Sequence, residues 1–288
     1  MNRLLLLCTV YGLLPTAYLC AADVGVLVLA HGGSAQWNQT VNATVAQAQL
    51  DAPTEVAFGM GMHEPEVAAI QGAVDALAAR GVSRIVAIPL LISSSSEVLR
   101  QYQYLLGLRE HGPWEEHAKP VTIRVPLVMA QPLDDDPIVA DILLERALEL
   151  STHPDEETVV VVAHGPNEDA DNAQWLAVMG RLSQQVQAKG HFRAVIPATL
   201  RDDAPTPVRE AATRSLRRLV AQQNHQGRTL IVPLLLASGG IEAKISKRLK
   251  GLRYVYEGHT LLPHPKLAQW IAQRVRQAPA PVAKVGQL

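Results

Sequence analysis

The hydrophobic positions of this chain fall into short, unbroken runs. Residues 24–30 read VGVLVLA, and residues 158–163 read TVVVVA. Runs of valine and leucine without alternation are typical of strands buried on both faces, as in a parallel sheet covered by helices. Both runs end in histidine and glycine, at His31-Gly32 and His164-Gly165. The pattern therefore predicts an α/β fold in which the same segment occurs twice.

A second pair of matching runs supports an internal duplication. Residues 84–92 (RIVAIPLLI) precede a serine-rich loop, and residues 229–236 (TLIVPLLL) precede the loop Ala-Ser-Gly-Gly. The histidine lies 58 residues before the shared proline in the first half and 69 residues before it in the second. Loops absorb an insertion of this size at little cost, so both segments fit one repeated unit.

Apolar residues spaced three and four apart predict helices between these strands, and short aliphatic runs predict further strands. Each half then contains four βα units, which predicts an α/β protein of two duplicated, doubly wound parallel-sheet domains. The helices are expected at residues 37–50, 65–80, 96–108, 136–151, 170–189, 206–223, 241–250 and 265–276, and the further strands at 55–59, 121–127, 193–198 and 252–256.

The first 22 residues differ from the rest of the chain. A short positive end, Asn2-Arg3, precedes an apolar run over residues 4–19 and the small-residue end Cys20-Ala21-Ala22. The run is shorter than a membrane span needs, and the order of features is typical of a secretory signal peptide. We expect cleavage after Ala22 and a periplasmic or secreted protein. The expected organisation is a signal peptide (1–22), a first half (23–150), a linker (151–157), a second half (158–276) and a loose tail (277–288).

The net charge and the positions of the cysteines exclude several kinds of partner and site. A net charge of −1 gives no long-range field that would gather nucleic acid or an anionic membrane surface, so we expect neither partner once the signal peptide is removed. Both cysteines, Cys8 and Cys20, lie in the signal segment. The mature chain would therefore have no disulfide, no cysteine nucleophile and no cysteine-zinc site.

Candidate functional residues stand where the buried strands end. Ligands of open α/β sheets bind at the carboxyl ends of the strands, and His31 and His164 each follow such an end. A histidine that only caps the following turn is the structural alternative. Glu97, past the end of the strand at 84–92, is the candidate second ligand, although it could also simply complement the positive end of its helix.

The order and duplication of these motifs resemble those of the class II tetrapyrrole metal chelatases of the CbiX/SirB group, relatives of ferrochelatase. Besides the strand-His-Gly segments, the resemblance lies in residues 78–84 (AARGVSR), 88–92 (IPLLI) and 261–268 (LLPHPKLA). The histidine at the strand end in the family matches His31. The second ligand, usually histidine in CbiX/SirB, falls on Glu97, as glutamate does in the ferrochelatase branch. In the second half His164 matches again, whereas the partner position falls on Ile241 with Glu242 adjacent.

The resemblance implies insertion of cobalt, iron or nickel into a tetrapyrrole such as sirohydrochlorin, with the metal as substrate and no organic cofactor. His31 would act as base and metal ligand, Glu97 would hold the cation, and His164 with Glu242 would form a looser counterpart. His63 is a further candidate for the cleft, although a solvated helix start before Pro65 is the favoured interpretation. A basic group could receive the tetrapyrrole carboxylates, although a solvated helix face is the favoured interpretation for most of its members. That basic group comprises Lys244, Lys247, Arg248, Lys250 and Arg253.

Two other functions fit parts of the same pattern. His-Gly-Gly after a strand also opens the oxyanion loop of α/β-hydrolase esterases, but the chain has no Gly-x-Ser-x-Gly nucleophile motif. An exported, non-catalytic protein that binds metal or haem in the same cleft stays open as the alternative.

Overall fold

The computed structural model describes residues 24–59, 62–113 and 115–279. The expected signal peptide (1–22) and most of the expected tail lie outside the described residues. Seven strands are present in the described part: β1 (Val24–Ala30), β2 (Thr54–Phe58), β3 (Arg84–Leu90), β4 (Leu127–Met129), β5 (Glu157–Ala163), β6 (Ala194–Thr199) and β7 (Arg228–Leu234). The helices in the same part are α1 (Ala35–Gln47), α2 (Glu64–Ala79), α3 (Glu97–Leu105), α4 (Pro137–Leu150), α5 (Asp169–Gly190), α6 (Thr206–Asn224), α7 (Ile241–Arg248) and α8 (Pro265–Gln277), with a short 3-10 helix at Pro154–Glu156.

The strands form two parallel sheets of matching topology. The first has the order β2-β1-β3-β4 and the second β6-β5-β7. The strand that precedes each histidine lies at the same place: Ala30 pairs with Leu90 and Phe58, and Ala163 pairs with Leu234 and Thr199. The predicted fold class of two duplicated parallel-sheet domains is confirmed.

Two predicted strands differ from those observed. The strand expected at 121–127 is observed only as Leu127–Met129, and the carbonyl of Pro126 just before it accepts a hydrogen bond from the Ile85 amide. The strand expected at 252–256 is reduced to a bridge between Val255 and Leu230, so the second sheet has three strands. Gly251 and Gly258 have φ angles of 86° and 79°, and these left-handed residues leave few extended residues between them.

One apolar core joins the inner faces of both sheets. It contains alternate residues of β1, β3, β5 and β7 together with side chains of α1, α4, α5 and α8. The outer face of the first sheet is covered by α2 and α3, and that of the second by α6 and α7. None of the helices in the described ranges combines the length and apolar character that crossing a membrane requires.

The last helix of each half packs against the other half. Helix α4 ends the first half but contacts α5 and β7, whereas α8 ends the second half and contacts α1 and β3. Asp136 joins the two exchanged helices: it caps α4 through the Ile138 amide and accepts hydrogen bonds from Trp270 and Arg274 on α8. The halves are therefore repeated in sequence but share their stabilising contacts.

Candidate functional site

Both strand-end histidines are followed by a glycine that the backbone requires. Gly32 and Gly165 have φ angles of 80° and 74°, in the left-handed region that favours glycine. A Cβ at Gly165 would also lie 2.6 Å from the Cβ of Thr199 on the neighbouring strand. The glycine thus turns the chain sharply after each strand and leaves the histidine at the sheet edge.

Each histidine uses its Nδ1 in the same local contact. The Nδ1 of His31 lies 2.8 Å from the carbonyl oxygen of Gly32, and that of His164 lies 2.9 Å from the carbonyl oxygen of Gly165. Because a carbonyl can only accept, this contact places the Nδ1 proton towards the glycine carbonyl in both rings. In the neutral ring of His31 the lone pair then lies on Nε2, which is free to accept a proton, whereas Nε2 of His164 faces a carboxylate oxygen of Asp203.

An aromatic pair, Trp37 and Phe58, begins next to His31. The Trp37 ring centroid lies 6.4 Å from that of His31, and the Phe58 centroid lies 6.3 Å from that of Trp37. The other half closes this side of the site, since a Cβ at Gly239 would lie 3.3 Å from Cδ1 of Trp37. The first half therefore packs a buried aromatic ring next to its strand-end imidazole.

Glu97 is the first residue of α3, after β3, and it is exposed. Strand β3 neighbours β1, so Glu97 and His31 both follow the carboxyl ends of adjacent strands. The expected approach of their side chains to within about 7 Å stays a prediction. Ser96 is the N-cap residue of α3 but makes no side-chain capping bond, and the Ser95 hydroxyl instead donates to Gln174 of α5.

The Glu242 carboxylate binds the backbone at the start of its own helix, α7. It accepts hydrogen bonds from the backbone amides of Gly239 and Gly240, at 3.3 and 3.0 Å. The Nε2 of His164 instead lies 3.2 Å from a carboxylate oxygen of Asp203. Glu242 as a metal ligand stays a prediction, and in this structure the carboxylate beside His164 belongs to another loop.

Within the described residues, one group of three side chains of the metal-ligating types has its ligand atoms close together. His164, Asp202 and Asp203 each offer an atom within 4.8 Å of the other two. The two aspartates follow β6, which pairs with β5 as β2 pairs with β1. Sequence reasoning missed them, although a carboxylate pair directly after a strand of the same sheet is a signal for this edge.

Two basic side chains of α7 hold Asp202. Lys244 and Arg248 both form ion pairs with its carboxylate, and Arg248 also donates to the carbonyl of Leu200. Burial would raise the pKa of Asp202, but these two cations outweigh it and hold that pKa below its usual value. Lys244 and Arg248 are thus engaged within the protein. Lys247, Lys250, Arg253 and His63 are exposed.

A cavity of about 550 Å³ adjoins these loops between α5, β6 and α6. Its wall includes Leu176, Val208 and Leu216, and its polar end contains Thr199 and Arg201. The Arg201 guanidinium is bound to Asp169 and to the Pro166 carbonyl, so it fixes the loop that follows His164.

A known protein family matches both halves of the chain. The family model described as CbiX matches residues 25–150 and again residues 158–278. This chain belongs to the CbiX family. The resemblance drawn from the strand-end motifs is therefore confirmed, and the two matches follow the two halves of the fold.

Curated members of the family match one half of this CbiX chain. The sirohydrochlorin cobaltochelatase of Methanosarcina barkeri is 26% identical over 126 residues, which is 44% of this chain and 95% of that protein. The protein of the same name from Methanothermobacter thermautotrophicus is 27% identical over 133 residues, 43% of this chain and 90% of that protein.

Solved structures of similar proteins cover both halves. SirB from Bacillus subtilis with Fe3+ matches with a TM-score of 0.65 and 19% identity, over 88% of this chain and 95% of that one. A CbiX structure described as the terminal enzyme for biosynthesis of siroheme in denitrifying bacteria matches with a TM-score of 0.59 and 16% identity, over 89% and 100% of the two chains. At these identities the likeness shows the common fold.

Proposed function

We propose that this CbiX-family protein inserts a divalent metal ion, namely cobalt, iron or nickel, into a tetrapyrrole such as sirohydrochlorin. The observation that carries the proposal is the imidazole at the end of β1, whose Nδ1 is bound to Gly32 and whose Nε2 is left to accept a proton or a metal. The curated relatives named above are sirohydrochlorin cobaltochelatases, which supports the same chemistry.

His31 is the proposed base and metal ligand. Insertion of a divalent cation releases two pyrrole protons, and the dianionic macrocycle then neutralises the ion. An imidazole accepts a proton near neutral pH, so Nε2 of His31 can take one of the two, and solvent can take the other. The Trp37 ring beside His31 is only 8% exposed, so it supports the imidazole from within the core.

Glu97 is the proposed ligand that delivers the metal. One carboxylate and one imidazole suit first-row divalent ions while leaving most coordination positions to water. Such a set binds a metal loosely, and loose binding is what a protein needs if it must pass the metal to a macrocycle that encloses it with four nitrogens.

The test is an anaerobic absorbance assay of the purified protein with sirohydrochlorin or protoporphyrin, each with Co2+, Ni2+ or Fe2+. We expect the free-base spectrum to convert to that of the metal complex faster than in a matched solution without protein. Metal binding without such turnover would contradict the proposal and would favour the exported, non-catalytic binding protein instead.

A further inference from the structure

The second half contains a group of metal-ligating side chains that has no counterpart among the described residues of the first half. Its members are the Nε2 of His164 and the carboxylates of Asp202 and Asp203, all mutually within 4.8 Å. Phe58 and Thr199 occupy the same register position, and the sequence three and four residues further on reads Gly61-Met62 in the first half and Asp202-Asp203 in the second. The corresponding stretch of the first half thus carries no carboxylate.

The three groups differ in how firmly they are held. The Nδ1 contact with Gly165 directs Nε2 of His164 towards Asp203, at 3.2 Å. The Asp203 side chain is 64% exposed, so a hydrated ion can reach it. Asp202 is fixed by Arg248, whose side chain is only 10% exposed and is bound to the Leu200 carbonyl as well.

A cationic side chain of the protein already occupies part of this position. The ammonium group of Lys244 is paired with Asp202, and its side chain is 48% exposed. A partly exposed lysine can leave for solvent at little cost, unlike the enclosed guanidinium of Arg248. A divalent ion that bound Asp202 would therefore displace the Lys244 ammonium, and the two cations would compete for one carboxylate.

We propose that His164, Asp202 and Asp203 form a metal site of the second half, distinct from the His31 site and in exchange with solvent. One nitrogen and two oxygen ligands suit Co2+, Ni2+, Fe2+ or Zn2+, with water filling the remaining positions. Its role as a loading site for the metal that is inserted rests on the proposed function, whereas binding of the ion does not.

Cobalt titration tests the site without any tetrapyrrole. We measure Co2+ binding by calorimetry and by visible d–d absorption on full-length protein carrying His31→Ala, which removes the first-half imidazole. Adding His164→Ala or Asp203→Asn is expected to weaken binding at least about tenfold. Lys244→Gln is expected to tighten binding about threefold to tenfold, because it removes the competing cation.

The Lys244 variant separates a metal site from an ion-pair cluster. If the three groups only form salt bridges, Lys244→Gln leaves cobalt affinity unchanged, and unchanged affinity in Asp203→Asn would overturn the proposal outright. Since Asp203 is largely exposed, Asp203→Asn keeps the fold, and circular dichroism checks this for every variant. Calorimetry of the matched variant Asp155→Asn, an exposed aspartate on the 3-10 helix, is expected to match the parent.

Insertion kinetics distinguish this inference from the proposed function. If both hold, Asp203→Asn raises the KM for cobalt and leaves kcat near that of the unmodified protein. If the unmodified protein binds cobalt through Asp203 but inserts none, the function is wrong and the site stands. If insertion proceeds but substituting any of the three side chains changes neither the cobalt affinity nor the KM for cobalt, the proposed site is refuted and the proposed function is retained.

Discussion

Arg100 on α3 and Asp171 on α5 form an ion pair across the two halves, with nitrogen-to-oxygen distances of 2.7 and 3.2 Å. Asp171 belongs to the first turn of the helix that follows His164, and Arg100 belongs to the helix that follows β3. Together with the contact of Gly239 on Trp37, the pair fixes each half against the strand-end loops of the other. The two halves are therefore held against each other near their strand-end loops.

We expect this pair to contribute measurably to stability because both side chains are partly buried. A double-mutant cycle with Arg100→Met and Asp171→Asn should give a coupling energy of about 1 kcal/mol in urea unfolding. The control cycle uses Arg214 and Glu210, which pair within α6 at four residues' separation with both side chains exposed and should couple by less than about 0.5 kcal/mol. Equal coupling in both cycles would show that the contact across the halves has no special weight.

Glu157, at the start of β5, should make folding sensitive to acid. Its side chain is 2% exposed; burial alone would raise its pKa, but hydrogen bonds from Ser151, Arg228 and Thr152 outweigh burial and hold the pKa below its usual 4.5. A lowered folded-state pKa stabilises the protein above the unfolded-state value, and this contribution is lost as the pH falls through the lower folded-state value. Unfolding free energy should therefore decline from about pH 5 downwards.

Glu157→Gln isolates that contribution. At neutral pH the variant should lose about 2 kcal/mol, since Arg228 and Thr152 lose a charged acceptor. Below about pH 5 the loss should shrink, because the unmodified protein then gives up the same interaction. Urea unfolding across pH measures both, with the neighbouring exposed Glu156→Gln as control. A pH-independent difference between Glu157→Gln and the unmodified protein would contradict the assignment.

The fold was predictable because its signals are local. Unbroken aliphatic runs identify the central strands, and the glycine after each histidine marks where the chain turns. The exchange of α4 and α8 was not predictable in this way. The spacing of Ile142 and Leu143 on α4, for example, shows that one helix face is buried but not which sheet buries it.

The site was predictable only where one residue follows a strand directly. His31 and His164 were located correctly at the strand ends, whereas the carboxylate beside His164 comes from a loop whose distance depends on the packing of β6. Glu242 looked suitable because it adjoins the family's ligand position, yet its carboxylate lies on the amides of Gly239 and Gly240. Side-chain direction at a helix start depends on such capping bonds, and sequence spacing does not determine it.

We propose that the protein is exported and that its mature form begins near Asp23. The apolar run followed by Cys20-Ala21-Ala22 motivates this, and N-terminal sequencing of protein from the native host measures it. Ala22→Leu should block processing because the cleavage position needs a small residue, whereas Asp23→Asn should leave it intact. Intact Met1 in the soluble cytoplasm would refute export and return Cys8 and Cys20 to the mature chain.

His31→Ala is expected to abolish metal insertion, by at least about 100-fold in kcat, because no thiol or second strand-end imidazole of the first half can replace the base. Glu97→Gln should mainly raise the KM for the metal, since it weakens delivery and spares proton transfer. At saturating metal His164→Ala should matter less than His31→Ala. The exposed His225, which follows α6, provides the matched control His225→Ala, with no expected effect on either constant.

Insertion that survives His31→Ala but not His164→Ala would place the active base in the second half. If neither substitution alters metal binding or turnover, both imidazoles are structural turn residues, and the chelatase proposal is wrong.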